Sequence, residues 1–270
     1  MKVAESMADP KVCVSLDGTT VEDMTDEAAR ARLAGADLVE VRFDRLYLIK
    51  PDPTISEEEE GDNVELPHEK DWETADFSSI DVDSTIASLK EGLPLPVIFT
   101  ARPVSEGGFF PGNEKERLEV LNKAIDSSVS WVDLELSIPE KDRKKLVKAA
   151  TTNGCKIIAS KHDINSMPDS ETIANIVREN QDNGDIVKFC GTAHSHADSL
   201  QIVEAAFSIK GEELAHSLMG LNGGGDWSRL HAPILDQSLV YATLQNEFHL
   251  SDKGLINVRD LRDAWILLEY

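Results

Sequence analysis

Short apolar runs recur along this chain, and they repeatedly finish in a charged or titratable residue. The clearest are Leu38-Val39-Glu40-Val41-Arg42, Val97-Ile98-Phe99-Thr100-Ala101-Arg102, Ile157-Ile158-Ala159-Ser160-Lys161-His162 and Asp185-Ile186-Val187-Lys188-Phe189-Cys190. A short, nearly continuous apolar run reads as a strand buried on both faces. Buried strands that each end in a charge need a common place to put those charges, because desolvating them is costly unless they pair or meet a ligand. A closed parallel barrel supplies that place, since the carboxyl ends of its strands surround one bowl.

The alternation of apolar runs and amphipathic stretches covers nearly the whole chain. Strands are predicted at residues 12–16, 37–42, 96–100, 131–136, 156–160, 185–189, 214–219 and 239–242. Helices are predicted over 23–34, 113–126 and 141–151, and another opens at Ser170 with Ile173, Ile176 and Val177 on one face. Gly35, Gly154 and Gly184 each fall just past a helix, where a left-handed cap is expected. Parallel strands need helical crossovers. Eight β–α pairs in 270 residues therefore predict an α/β fold, a (β/α)8 TIM barrel forming a single domain over residues 1–270. The alternative is a doubly wound open sheet, but no Gly-rich phosphate fingerprint follows the first strand. One stretch breaks the pattern. Residues 47–77 hold Pro51, Pro53, the run Glu57-Glu58-Glu59-Glu60 and Gly61-Asp62-Asn63. This reads as an acidic insertion between the second strand and its helix, too polar to bury much surface and expected to be mobile and solvated.

Composition excludes several classes. The 41% of hydrophobic residues suffices for a core, yet no apolar run is long enough to span a bilayer. Met1-Lys2-Val3-Ala4-Glu5-Ser6 leads into polar residues, without the apolar stretch of a signal peptide. Cys13, Cys155 and Cys190 sit inside apolar runs, which suits buried free thiols in a reducing cytoplasm better than disulfides or zinc. A net charge of −23 argues against nucleic acid and anionic membranes as partners. It does not forbid an anionic substrate, because salt screens exposed charge beyond roughly 8 Å.

In the predicted barrel Glu40 and Arg42 lie at the mouth on the second strand, Arg102 ends the third, Glu135 the fourth, His162 the fifth and Lys188 the sixth. Arg229 follows the seventh, on the glycine-rich loop 220–228. Taken alone, Lys188 reads equally well as a lysine reaching to solvent or as an amine nucleophile able to form a Schiff base. An ordinary lysine, with a pKa of about 10.4, is almost wholly protonated at neutral pH, so the second role needs a special environment. A lone histidine is more often structural, but His162, one strand before the lysine, is a candidate proton shuttle. His194 and His196 follow in a polar loop and read as surface histidines rather than metal ligands, since no third ligand is suitably spaced. Three arginines at one mouth suit a carboxylate, whereas a purely structural reading pairs Arg42 with Glu40 or Asp44 and Arg102 with Glu106. Arg229 has only Asp226 as a local partner. Gly107-Gly108 permits a sharp turn.

These segments, in order and spacing, resemble the type I 3-dehydroquinate dehydratase family. The matching stretches are Val14-Ser15-Leu16, Glu40-Val41-Arg42-Phe43-Asp44, Phe99-Thr100-Ala101-Arg102 with Glu106-Gly107-Gly108, Val132-Asp133-Leu134-Glu135-Leu136, Ser160-Lys161-His162-Asp163, Asp185-Ile186-Val187-Lys188, Met219-Gly220 with Ser228-Arg229, and Asn257-Val258-Arg259-Asp260-Leu261. The resemblance implies a TIM barrel without cofactor or metal, often a homodimer, acting in the shikimate pathway toward chorismate and the aromatic amino acids. It implies that Lys188 forms an imine with the ring ketone of 3-dehydroquinate. His162 would take a proton from the adjacent carbon and return one to the departing hydroxyl, giving 3-dehydroshikimate and water. Substrate-binding positions match at Ser15, Glu40, Arg42, Arg102, Arg229 and Ser251, with Glu106 supporting. Arg229 would clamp the carboxylate, and Glu40 and Arg42 the ring hydroxyls. One departure stands out: where the family reads Ser-Ala-Pro-Gly-Gln, this chain has Ser251-Asp252-Lys253-Gly254-Leu255. Leu255 cannot donate the hydrogen bond of that glutamine. Two other functions remain open on sequence grounds. Some relatives are inactive ligand sensors in regulatory proteins, but these often lack the lysine or histidine kept here. A class I aldolase would share barrel and imine, with Gly223-Gly224-Gly225 as a phosphate site.

Overall fold

A computed structural model describes residues 9–51, 67–245 and 254–270. Eight parallel strands form the predicted barrel: β1 (Lys11–Ser15), β2 (Leu38–Arg42), β5 (Val97–Thr100), β6 (Trp131–Glu135), β7 (Lys156–Asp163), β8 (Ile186–Thr192), β9 (His216–Leu221) and β10 (Leu239–Ala242), in the order β10-β1-β2-β5-β6-β7-β8-β9. The two remaining strands, β3 (Leu48–Ile49) and β4 (Glu73–Thr74), make a separate antiparallel pair. Helices α1 (Val21–Ala34), α2 (Val82–Gly92), α3 (Glu114–Asp126), α4 (Glu140–Asn153), α5 (Ser170–Glu179), α6 (His196–Ser208), α7 (Asp226–Leu230) and α8 (Val258–Leu267) cross over between strands or follow the last one. Thr20 and Asp169 cap α1 and α5, and Asn113 and Ser195 close full capping boxes on α3 and α6. Among the described residues, no helix is long and apolar enough to cross a membrane.

Side chains alternate across each strand with a period of two, and this sorts the barrel into layers. Val39, Val41, Val132, Leu134 and Val240 point outward and pack beneath the helices in one large cluster. Val187, Phe189 and Leu218 do the same in a second. The inward set begins with an apolar floor that includes Cys13, Leu38, Ile98, Ile158, Ile186 and Leu239. Two residues further along the same strands lie Ser15, Glu40, Thr100, Asp133, Ser160, Lys188 and Tyr241, and the next step reaches Arg42, Arg102, Glu135, His162 and Cys190. The same alternation thus gives an oily base and a charged upper half.

Closure occurs at β9 and β10. The Gln237 amide accepts from Leu218 N and donates to Leu218 O, both at 2.7 Å. Ser217 Oγ donates to Leu239 O at 2.7 Å, and Ser238 N donates to His216 O at 2.8 Å. Side-chain groups here satisfy backbone that a ladder would otherwise pair.

Several boundaries differ from expectation. β7 runs to Asp163 and β8 to Thr192, because the two keep pairing through His162↔Cys190 and Asp163↔Gly191. Backbone pairing is indifferent to the polarity that suggested earlier ends. β9 is displaced to His216–Leu221. His196 is not in a loop: it opens α6 directly after the Ser195 cap. Gly35 and Gly154 take the expected left-handed conformation, with φ of 97° and 70°. Gly184 does not. A short turn over Gln181–Asn183 intervenes after α5, and Gly184 is extended, with φ of −173°. An added Cβ there would lie 2.9 Å from Ala159 N, so close approach to β7 is what excludes a side chain. Of the acidic stretch 47–77, residues 52–66 lie outside the described residues, including the run Glu57–Glu60. Its described flanks pair as β3 and β4, and the Arg45 guanidinium joins Glu69 at 2.7 and 3.1 Å to the Asp17 carbonyl at 2.7 and 2.9 Å.

Candidate active site

Lys188 occupies the middle inward layer of β8 and is only 3% exposed. Its Nζ lies 3.5 Å from Asp133 Oδ2 and 3.6 Å from Glu40 Oε1, and 3.9 Å from the centre of the Tyr241 ring. The two carboxylates make their short contacts elsewhere. Glu40 accepts from Ser15 Oγ at 2.7 Å and from Thr100 Oγ1 at 2.9 Å. Asp133 accepts from Arg102 at 2.9 and 3.2 Å and from Ser160 Oγ. Burial alone would raise the Asp133 carboxyl, but Arg102, Lys188 and these hydrogen bonds hold it below the usual range.

His162 stands one inward step above Ser160, the residue in register with Lys188. Glu106, on the short turn Val104–Glu106 after β5, fixes the ring. Its Oε2 accepts from His162 N at 3.0 Å and meets ring Nδ1 at 3.1 Å, while its Oε1 accepts from Ser137 Oγ at 2.5 Å. The turn needs its glycines. Gly107 has φ of 79°, and a Cβ on Gly108 would fall 2.1 Å from the Arg102 carbonyl oxygen. Burial, then the charges of Arg102, Lys188 and Arg42, keep the His162 imidazole well below its ordinary value, so the ring is neutral at neutral pH. With Nδ1–H directed at Glu106, the Nε2 lone pair is left free to act as a base.

The three arginines differ in their partners. Arg42 is bound by both oxygens of Asp44, at 2.9 and 2.6 Å. Arg102 is not paired with Glu106, whose carboxylate is turned to His162; it binds Asp133 and also Glu135 at 2.8 Å. Arg117 reaches in from α3 to the other Glu135 oxygen at 2.6 Å. Burial pushes Glu135 up to about 7 despite both arginines, with Asp133 adding to the rise. Arg229, 1% exposed, has no carboxylate partner among the described residues. It donates to the carbonyls of Tyr241 at 3.0 Å, Gly220 at 2.8 Å and Gly225 at 2.5 Å. Burial lowers it to about 10, only partly offset by Cys190 and Asp226, so it remains a cation at neutral pH.

One cavity of about 660 Å³ brings these groups together. Ser15, Glu40, Arg42, Arg102, Glu106, His162, Lys188 and Arg229 all line it, as do Tyr241 and Leu255. Ser251 lies outside the described residues. Sequence reasoning missed Asp133 and Tyr241, although their inward parity with Glu135 and Leu239 was available. His194 faces the Asn165 carbonyl at 3.0 Å.

Comparisons with known proteins bear on the family and the fold. A family model described as type I 3-dehydroquinase matches residues 12–269. A 3-dehydroquinate dehydratase of Methanocaldococcus jannaschii is 31% identical over 74% of this chain and 91% of that protein. Another, from Methanosarcina barkeri, is 28% identical over 92% of each. The crystal structure of the type I 3-dehydroquinate dehydratase of Clostridium difficile superposes with a TM-score of 0.78 at 23% identity, covering 97% of this chain and 94% of that one. Matched from β1 through α8, the chain belongs to the type I 3-dehydroquinase family.

Proposed function

We propose that this chain dehydrates 3-dehydroquinate to 3-dehydroshikimate through an imine on Lys188, as a step of aromatic biosynthesis. The observation that carries the reading is the pairing of a buried amine with a neutral, carboxylate-oriented imidazole on adjacent strands of one cavity. Nζ adds to the ring ketone, and loss of water leaves a protonated imine. That cation draws electrons from the neighbouring carbon more strongly than a ketone does, and so acidifies its proton. His162 Nε2 takes this proton. It then returns it to the hydroxyl on the next carbon, which departs as water while the double bond forms. Hydrolysis of the imine frees the product and the lysine.

Arg229 is the group suited to the substrate carboxylate, because among the described residues it is a buried guanidinium held by carbonyl oxygens rather than by a carboxylate. Ser15, Glu40, Arg42 and Arg102 line the remaining walls and suit the ring hydroxyls. Ser251 belongs to the same proposed set by family position. The test is incubation with 3-dehydroquinate, following the conjugated enone product, with borohydride trapping and mass mapping of the adduct. An adduct on Lys188 together with turnover, both lost in Lys188→Ala, is the expected result. Turnover that persists in Lys188→Ala overturns the imine, and an adduct without turnover points to a ligand sensor.

A further inference from the structure

The Lys188 nitrogen lies beside two carboxylates yet forms no hydrogen bond with any described residue. Its nearest acceptors, at 3.5 and 3.6 Å, lie outside the usual range of about 2.7–3.2 Å for an N–H···O bond. Its third neighbour is the Tyr241 ring face, 3.9 Å from ring centre to nitrogen. Tyr241 is 5% exposed, and its hydroxyl is buried without a partner among the described residues. Its ring is what touches the reacting nitrogen. Burial holds its ionisation well above 10, so the ring meets that nitrogen as a neutral phenol.

We propose that Tyr241 is a further catalytic residue, whose ring face, flanked by Asp133 and Glu40, holds the positive charge of the Lys188 nitrogen in a cradle without hydrogen bonds that fits the protonated imine as well as the ammonium. The proposal rests on the imine chemistry given above. When the ammonium condenses with a ketone, two of its three hydrogens leave with the ketone oxygen as water. The nitrogen gains a double bond to carbon and keeps one hydrogen and one positive charge. A cradle built of three hydrogen bonds would lose two of them at this step. A ring quadrupole and two carboxylates act on charge rather than on N–H groups. They hold both cations alike, and act less on the neutral carbinolamine between them.

The test replaces the ring's electrons while keeping its shape. Tyr241→Phe is the reference, followed by phenylalanines of increasing fluorine content at the same position, with kcat/KM measured across pH. The charged or titratable groups facing Lys188 are Glu40, Arg102, Asp133, His162, Cys190 and Cys13, from six different strands or strand ends, and the series leaves them all in place. Under acid conditions the profiles should coincide, because ammonium becomes imine with no change of charge. Under alkaline conditions a neutral amine must acquire the charge, and the fluorinated members should fall below the reference. The full loss is about 30-fold, which is about 2 kcal/mol for a desolvated cation–π contact. An equal loss at every pH, as a packing defect gives, overturns the proposal, and so does no loss at any pH. Singly fluorinated members, nearest the reference in shape, carry the test if the most substituted one does not fold. Borohydride trapping of the unsubstituted protein keeps the two levels apart. Absence of an adduct there defeats the imine itself, whereas an adduct together with a flat series defeats only the cradle.

Discussion

Replacing Glu106 by glutamine isolates what a charge contributes to the base. In the native site one carboxylate oxygen accepts the His162 backbone N–H at 3.0 Å and faces ring Nδ1 at 3.1 Å. The other is held by Ser137 at 2.5 Å, so the side chain is fixed at both ends. Glutamine preserves this shape if its oxygen faces the histidine and its NH2 faces Ser137. The lost quantity is then the charge. In the proposed mechanism it matters most once His162 has taken the substrate proton, because the imidazolium is opposed by Arg102, Lys188 and Arg42. A hydrogen bond to a charged group contributes about 1.5–3 kcal/mol and a neutral one about 0.5–1.5 kcal/mol, so the difference is about 1–2 kcal/mol. It is expressed mainly in the transition state, which predicts a fall in kcat of about 5- to 30-fold with KM nearly constant. Steady-state formation of the conjugated enone by Glu106→Gln and the parent enzyme measures both constants. A loss carried by KM alone, or an unchanged kcat, would refute the assignment of Glu106 as the group that orients and supports the base.

Arg229→Lys removes the planar fork while keeping the charge; loss of a charge-assisted contact of about 1.5–3 kcal/mol should raise KM by about 10- to 150-fold, and an unmoved KM would exclude a carboxylate at this position. Leu255→Gln restores a donor on the cavity wall, and one net hydrogen bond of about 1 kcal/mol should lower KM about 5-fold; no change would mean that the contact is made by another group. NMR titration should find the His162 midpoint well below 6.5. Since this folded-state value is depressed for a base, its stability contribution is full above pH 6.5 and is lost as pH falls through the depressed midpoint. Glu135 has the opposite sign. Its folded-state value of about 7 exceeds the ordinary 4.5, so its contribution is full below pH 4.5 and is lost as pH rises through 7. Denaturant melts across that window should therefore show the parent losing stability with rising pH relative to Glu135→Gln, the His162 contribution being common to both.

Much of the barrel was legible because burial on both faces leaves a one-dimensional signature. Val39, Val41, Val132 and Leu134 had to be apolar under the helices, and Leu38, Ile98 and Ile158 had to be apolar in the floor. Strand ends were less legible. His162 and Asp163 remain in β7 because β8 continues beside them, and pairing depends on a partner that local sequence does not reveal. The same limit applies to ion pairs. Arg42 finds Asp44, its neighbour in the chain. Arg102 bypasses nearby Glu106 for Asp133 and Glu135, one strand over and some thirty residues away, because parallel register brings their layers level. Tyr241 was invisible for a related reason. An aromatic residue in a strand reads as packing, and only the closed barrel sets its face against the amine.

A chain with a net charge of −23 can present an anion site only by local accounting. Among the described residues, the other three site cations each lie within 3.6 Å of a carboxylate: Arg42 beside Asp44, Arg102 beside Asp133 and Glu135, Lys188 beside Asp133 and Glu40. Those pairs are nearly neutral to an approaching ligand. Arg229 alone among them is held by carbonyl oxygens, which anchor its geometry without cancelling its charge. Burial penalises that charge and lowers Arg229 to about 10, and a bound carboxylate removes the penalty. If Arg229 clamps the substrate carboxylate as proposed, relief of that desolvation adds to affinity, and the exposed acidic surface, beyond the screening length of roughly 8 Å, has little influence on it.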